Sequence, residues 1–356
     1  SHYVEAFSAN FSLYGDLSER VMTCLENFSS NLENYSIDEA FLDLSFVAPE
    51  YLAEYGLIIR KTVYRWTGIP VSVGIAPTKT LSKLASLKAK KNAQGVFVLG
   101  EYERQELLAE TDVGDIWGIG HRLTKRLHAC GMTKAADLLP YSDHWFRSKF
   151  NINLLRTVEE LRGKPCLELE VDESTRQSIC CSRSFKTKVT EEYLLEEAIS
   201  TFTAKAAEKL RRDGSYCASI LVFIRSSPFD QSQQIYSNSS CQSLPLATDI
   251  TSDLVKAAKR ALALIYHPDV AYQKAGVTLI DLIDGSSFQR DLFNSHDPIE
   301  QSPLMKVLDE VNRDYGKGTL RYLNQGLGQR KWHMNRQKLS PPYTRSWKHL
   351  PIVKAR

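Results

Sequence analysis

The sequence predicts an α+β, multidomain chain, and three observations carry that prediction. Its 356 residues exceed the roughly 250 at which a single hydrophobic core stops growing. Segments of helical period alternate with short β-rich runs. The texture also changes near Asp112 and again between Gly163 and Thr175, so that two α+β stretches flank one of short helices and glycine turns. With 43% hydrophobic and 24% charged residues, the composition excludes a largely disordered, collagenous or supercharged chain.

The elements follow in order. Leu17, Val21, Leu25, Phe28 and Leu32 recur near helical spacing and predict one amphipathic helix from Leu17 to Leu32. Ile37-Asp38-Glu39-Ala40-Phe41-Leu42-Asp43-Leu44 alternates over its second half as a half-buried strand does. A helix at 50–66, a β-rich run from Gly68 to Ile75, a Lys-rich helix from Thr78 to Lys91 and a strand over Gly95–Leu99 follow. Together they suggest a β-α-β-β-α-β layer with helices on one face. Beyond it come helices over Leu123–Ala129 and near Lys134–Leu139. The last α+β stretch reads as strands at Ile179–Phe185, Ala218–Ile224 and Ala275–Leu282, with long helices at Glu191–Arg212 and Asp253–Tyr266.

Charge is nearly balanced, 45 basic against 42 acidic residues for a net +3, so any electrostatic footprint is local. One such footprint lies at the end of the chain: residues 317–356 hold ten Lys/Arg and no Asp or Glu. The seven cysteines are scattered and lack C-x-x-C pairs, which fits a reducing cytoplasm rather than a disulfide framework or zinc site. No apolar run approaches the roughly 20 residues that cross a bilayer, so a cytoplasmic protein without a membrane partner is expected.

Four motifs bear chemistry. In Ser36-Ile37-Asp38-Glu39-Ala40, neighbouring carboxylates of a flat strand point to opposite faces, so Asp38 and Glu39 can share a metal only at a turn or bulge. There they would suit Mg²⁺, which is usually held by one or two carboxylates plus substrate phosphates; the same dipeptide also fits a plain polar hairpin tip. Lys79, Lys83 and Lys90 stand at i, i+4 and i+11 on one helical stripe, able to hold a triphosphate or simply to face solvent. Trp117-Gly118-Ile119-Gly120, followed by Arg122, Lys125 and Arg126, reads as a helix-hairpin-helix whose glycines bring backbone N–H groups to a phosphate, or as a tight turn with Ile119 packed inward. Gln289-Arg290-Asp291-Leu292-Phe293 is a docking peptide for a hydrophobic pocket or a locally packed segment.

These residues together carry a resemblance. YSIDEAFLDLS, then GIPVSVGIAPTKTLSKLASLKAKK, IWGIG and SRSF resemble, in order and spacing, the Y-family translesion DNA polymerases, and in particular their UmuC branch. RTVEELRGKPCLELE, AAEKLR, YQKAGV, QRDLF, GTLRY and LSPPYTRSW extend the likeness over essentially the whole chain. It implies a right-hand architecture: a palm over 1–112, a thumb over 113–168, a linker at 169–174, a little finger over 175–285 and a C-terminal interaction tail over 286–356. It also implies error-prone synthesis on primed, damaged DNA from dNTPs in an SOS-type response, with two Mg²⁺ ions.

By the same likeness Asp38 and Glu39 are the catalytic, metal-holding carboxylates, and Lys90, supported by Lys83, meets the incoming nucleotide. Gly118, Ile119, Gly120, Arg122 and Lys125 grip the duplex backbone. Ser182, Arg183, Ser184 and Arg225 line the template groove, and Gln289, Leu292 and Phe293 anchor to the replication sliding clamp. UmuD-like subunits and a RecA-type recombinase filament are implied partners. Family members begin with a strand bearing a further metal-binding aspartate and a steric gate, followed by fingers, and this sequence starts beyond them. Weak or absent activity of this chain is therefore expected, the rival reading being a catalytically inactive DNA- and clamp-binding protein. A nucleotidyl cyclase would need neither the glycine hairpin nor the docking peptide, and a palm lacking a strand raises the further reading of a poorly folded remnant.

Overall fold

The structure is a computed structural model that describes residues 4–171, 176–230, 234–287, 298–326, 332–333, 337–341, 343–344 and the single positions 347, 350, 352 and 353. It divides into two units: Ala9–Ser174 with Ser340–Arg356, and Thr175–Leu339 with Ser1–Ser8.

The first unit opens with α1 (Phe11–Leu25), which starts where the Asn10 side chain accepts a hydrogen bond from the Leu13 N–H. The predicted continuation to Leu32 is corrected: the chain turns after Leu25, and Leu32 begins β1 (Leu32–Ser36). The period misled because Phe28 and Leu32 pack on the same small core as Met22, Cys24 and Leu25 without belonging to the helix. β1 pairs antiparallel with β2 (Glu39–Leu42), with an irregularity between Asn34 and Ser36, so Ile37 and Asp38 form the hairpin tip.

Next come α2 (Leu52–Thr67), β3 (Val73–Ile75), α3 (Lys79–Lys91) and β4 (Val96–Val98). The Thr78 hydroxyl caps α3 by accepting from the Leu81 N–H. β3 and β4 are parallel, as a strand-helix-strand crossover requires. Gly74 of β3 lies so close to α3 that a Cβ would meet the Ser86 nitrogen at 2.1 Å, which only glycine allows. The expected single sheet layer is instead two separate two-stranded sheets, β1–β2 and β3–β4.

Glycine turns and short helices follow: α4 (Glu101–Glu110), α5 (His121–Ala129), α6 (Asp143–Lys149) and α7 (Ile152–Leu161). Of the two short helices expected around Trp117–Gly120, the first is only a 3-10 turn at Val113–Asp115. The segment near Lys134–Leu139 is also 3-10, at Ala135–Leu138. Leu81 and Leu84 of α3 share one core with Leu108, Val113, Leu127, Phe146 and Val158, so α3 belongs to both the sheet and the helical stretch.

The second unit contains the β-α-β-β-α-β order that had been expected at the other end of the chain. β5 (Ile179–Val189), α8 (Glu192–Arg212), β6 (Ser215–Ser226), β7 (Ser237–Thr248), α9 (Thr251–Ile265) and β8 (Tyr272–Asp284) build a four-stranded antiparallel sheet in the order β5-β8-β6-β7. Ile220, Val222 and Ile224 face α8 and α9 in the core, leaving Leu221, Phe223 and Arg225 on the other face by alternation. β7 was not predicted, because its Ser-rich first half, SNSSCQS, offers no apolar alternation. Neither was α10 (Pro298–Asp314), which lies inside the segment read as a tail. Trp332 is buried against Phe202 of α8, ring centroids 5.4 Å apart, and its Nε1 donates to Glu197 at 2.9 Å. No helix among the described residues is long and apolar enough to cross a membrane.

Candidate active site

A cleft of about 1400 Å³ opens in the first unit. One wall is β2 with the tip residues Ile37 and Asp38; the other is β3 with its approach from Ile69 to Ser72. α1 and α2 contribute Leu17, Met22 and Ile59 to its apolar floor, and Lys79, Lys83 and Lys90 of α3 line it as well. The two sheets have the cleft between them, so the edges of β2 and β3 that border it are unpaired by any other strand among the described residues.

At the hairpin tip the Ser36 hydroxyl donates to Asp38 Oδ1 at 2.7 Å and accepts from the Asp38 N–H. Asp38 is exposed and Glu39 half-buried. Ser36 faces Glu39 across the irregular pairing, which puts Glu39 with Phe41 on the side that meets α3. There Lys83 Nζ lies 2.6 Å from Glu39 Oε1. The ammonium also stands over three rings, 4.8 Å from the centroid of Tyr35, 5.9 Å from that of Phe41 and 5.9 Å from that of Trp117. The rings contact one another at 5.5–5.7 Å between centroids, and Trp117 Nε1 donates to the Tyr35 hydroxyl at 2.9 Å. Further along the cleft, the backbone N–H of Ser45 holds the Asp43 carboxyl below the usual carboxylate range.

The three lysines of the predicted stripe have three different environments. Lys79 is buried, ion-paired with the equally buried Glu33, and donates to the Glu168 carbonyl at 2.6 Å. Lys83 is bound to Glu39. Lys90 has no ion-pair partner among the described residues and lines the cleft. A further acid, Glu160, is fully buried and was not singled out in the sequence. Its carboxylate accepts from the N–H groups of Thr80, Cys166 and Leu167, pinning the start of α3 to the chain beyond α7.

Asp38 and Glu39 supply hard oxygen donors at a solvent-open rim, a set that fits Mg²⁺ in its mode of one or two carboxylates with phosphate and water completing the sphere. No group of three His, Cys, Asp or Glu side chains gathers for a metal among the described residues.

The Trp117–Gly120 turn sits beside this site. Gly118 takes a φ of +88°, Ile119 is buried in the helical core, and Gly120 begins α5 with nothing near the place a Cβ would take. Arg122 and Lys125 are exposed on α5. Arg126 is engaged, stacking 4.7 Å from the Phe150 centroid and donating to the Lys149 carbonyl at 2.7 Å.

In the second unit, register divides the predicted groove residues. Ser184, Lys274, Arg225 and Ser237 form one cross-strand row, and Ser182, Gly276, Phe223 and Ser239 the next. A Cβ on Gly276 would strike both Ser182 and Phe223, so these rows line one open face. Arg183 pairs with Ala275 and shares the opposite face with the buried Cys181 and Phe185, which separates it from Ser182, Ser184 and Arg225. Lys274 is the cation that sequence reasoning missed, since only the sheet register places it between Ser184 and Arg225. Gln289, Leu292 and Phe293 lie outside the described residues.

The chain is similar to known proteins over nearly its whole length. Residues 2–87 match the impB/mucB/samB family, residues 176–292 its C-terminal domain, and residues 302–353 a domain of unknown function, DUF4113. Protein UmuC of Salmonella typhimurium strain LT2 is 44% identical over 99% of this chain and 84% of its own length. Protein ImpB of Salmonella typhimurium is 39% identical over the same shares. DNA polymerase IV of Clostridium acetobutylicum is 24% identical over 88% of this chain and 77% of its own. A solved Y-family DNA polymerase chimera shares the fold, with a TM-score of 0.59 at 23% identity, covering 77% of this chain and 78% of that one. The class is that of the Y-family DNA-directed DNA polymerases, and within it the chain belongs to the UmuC family.

Proposed function

We propose that the activity this chain serves is translesion synthesis, DNA-templated nucleotidyl transfer on damaged, primed DNA, with Mg²⁺ held by Asp38 and Glu39. The observation that carries the reading is that both carboxylates line one open cleft together with Lys90 and with Lys83, which is ion-paired to Glu39. Bound there, Mg²⁺ supplies Lewis-acid activation of a 3′-hydroxyl and neutralisation of the phosphates. Asp38 and Glu39 fix the site at a hairpin tip that the Ser36 hydroxyl stiffens. Lys90 and Lys83 offset the negative charge of a triphosphate. The turn from Gly118 to Gly120, with Arg122 and Lys125, offers backbone N–H groups and cations to a DNA backbone, positioning it without reading sequence. The open sheet face with Ser182, Ser184, Arg225 and Lys274 suits the template strand, and Arg183 would act from the sheet's edge.

In this reading the palm spans 1–112, the thumb 113–168 and the little finger 175–285, the linker at 169–174 joining the last two. The segment 286–356 serves partners: the sliding clamp through Gln289, Leu292 and Phe293, and UmuD-like subunits or a RecA-type filament through its basic end. The unpaired edges of β2 and β3 leave room for an extended strand between the two sheets, where a further carboxylate would adjoin Asp38 and Glu39. A second reading, a DNA- and clamp-binding protein without catalysis, is favoured by one observation: Glu39 is neutralised by Lys83.

Primer extension with Mg²⁺ and four dNTPs tests the choice, run with this chain and with the chain preceded by the N-terminal strand and fingers of a UmuC relative. Extension by the lengthened chain is expected, as is its abolition by Asp38→Ala with Glu39→Ala while DNA binding stays within about twofold. Binding of primed DNA without extension by either chain would establish the second reading, and equal loss of binding and extension in the double variant would make the carboxylates structural.

A further inference from the structure

Lys79 and Lys83 lie one helical turn apart on α3, and both reach the β1–β2 hairpin, yet they are held in different ways. Lys79 is sealed between the buried Glu33 and a backbone carbonyl. Lys83 is 18% exposed and its carboxylate partner, Glu39, 42% exposed, so that Glu39 can turn away to solvent or to an ion while Lys83 stays where it is. What surrounds Lys83 on its other sides is aromatic: Tyr35 from β1, Phe41 from β2 and Trp117 from the glycine turn, all within 6 Å. Three ring faces around one ammonium form a seat that attracts the cation whether or not Glu39 is paired to it. The hydrogen bond from Trp117 Nε1 to the Tyr35 hydroxyl locks the third ring to the first.

We propose that Tyr35, Phe41 and Trp117 keep the Lys83 ammonium at the carboxylates as a built-in counter-ion, which a divalent cation displaces from Glu39 while the seat retains it beside the site. This rests on the reading of Asp38 and Glu39 as cation ligands. Without a bound cation, Lys83 neutralises Glu39 and keeps the hairpin from repelling itself. With Glu39 turned to the ion, the rings still fix the ammonium at the rim, where the phosphates of a nucleotide would meet a positive charge already in place. Trp117 is then a positioning residue that couples the glycine turn, the candidate backbone grip, to the charge balance of the hairpin.

Binding of Mn²⁺ alone to the full chain, measured by the loss of the free-ion electron paramagnetic resonance signal, tests this. Lys83→Met removes the competitor and is expected to tighten Mn²⁺ binding about 3- to 10-fold, as loss of a nearby, partly screened like charge should. Trp117→Leu removes part of the seat, which leaves Lys83 more dependent on Glu39, and is expected to weaken binding about 2- to 3-fold; Trp117→Phe, which keeps a ring, restores most of it. In the unaltered chain Mn²⁺ should quench indole emission, and the quench should shrink in Trp117→Phe. Thermal melts check that each variant folds, with Lys83→Gln standing in if Lys83→Met does not. Mn²⁺ binding that is unchanged or weaker in the Lys83 variant overturns the counter-ion role alone. Absence of Mn²⁺ binding in the unaltered chain overturns both this inference and the cation reading beneath it.

Discussion

The two β-containing units of this protein achieve order by opposite means. In the second unit four strands share one sheet, α8 and α9 cover one of its faces, and the core runs from Ile179 through Phe202 and Val222 to Leu279 with Trp332 added at its margin. In the first unit the strands are split into two pairs around a cleft; the buried core beneath β1–β2, Met22, Cys24, Leu25, Ile59 and Val63 among the described residues, is small, and the larger core lies among α3 and the helices that follow it. Polar staples take over there: Glu33 with Lys79, and Glu160 with three backbone N–H groups. The difference teaches that an apolar sheet core tolerates an open polar face, whereas strands split around a cleft are held by buried carboxyl groups whose hydrogen bonds are satisfied.

The comparison can be broken most forcefully in the second unit. Phe202→Ala empties the contact with Trp332 and should cost about 4 kcal/mol, read from urea unfolding; a loss below about 1 kcal/mol would mean that the core repacks and is not the dominant stabiliser. Glu160→Ala, in the first unit, leaves three N–H groups without their acceptor and should cost about 3 kcal/mol, seen as early exchange of the amide hydrogens of α3 and α7. A small effect would show that water replaces the carboxylate and that the staple is dispensable. Val71→Ala, on the half-buried wall of the cleft, should cost only about 1 kcal/mol because little apolar surface there is removed from water.

The smallest effect separates the acid responses. Backbone N–H groups of Lys134 and Thr133 hold the Asp137 carboxyl below its ordinary value of 3.8, and Ser45 does the same for Asp43. A carboxyl whose folded pKa is lowered stabilises the fold above its unfolded value, and that contribution disappears as pH falls through the folded value. Hydrogen exchange around Ala135–Leu138 should therefore accelerate as pH drops below about 4, after correction for intrinsic rates, and Asp137→Asn should remove the acid-dependent part.

Much of the second unit was legible in the residues. The periods of Glu192–Arg212 and Thr251–Ile265 and the apolar runs of β5, β6 and β8 each lie within one element whose neighbours are close in sequence. β7 escaped because an edge strand with an open face needs no apolar alternation, so its Ser-rich sequence looks like a loop until β6 pairs with it. In the first unit the hairpin tip at Asp38 was legible from local pattern, while the end of α1 was not, since Phe28 and Leu32 continue the apolar spacing for the benefit of a tertiary core.

By itself, then, the sequence determined the Asp38-Glu39 pair, the lysine stripe on the helix after β3 and the glycine turn at Gly118, each a short-range pattern read within a dozen residues, and the family, from the order and spacing of such motifs along the chain. Only the tertiary structure decided that Lys79 is sealed by Glu33, that Lys83 sits in a ring of Tyr35, Phe41 and Trp117 against Glu39, that Lys90 lines the cleft, and that Arg183 faces away from Ser182 and Arg225 while Lys274 joins them. The physical reason is one: a side chain's partners are set by which strands pair in which register and which helix crosses them, and those contacts join residues tens of positions apart that no local pattern can bring together.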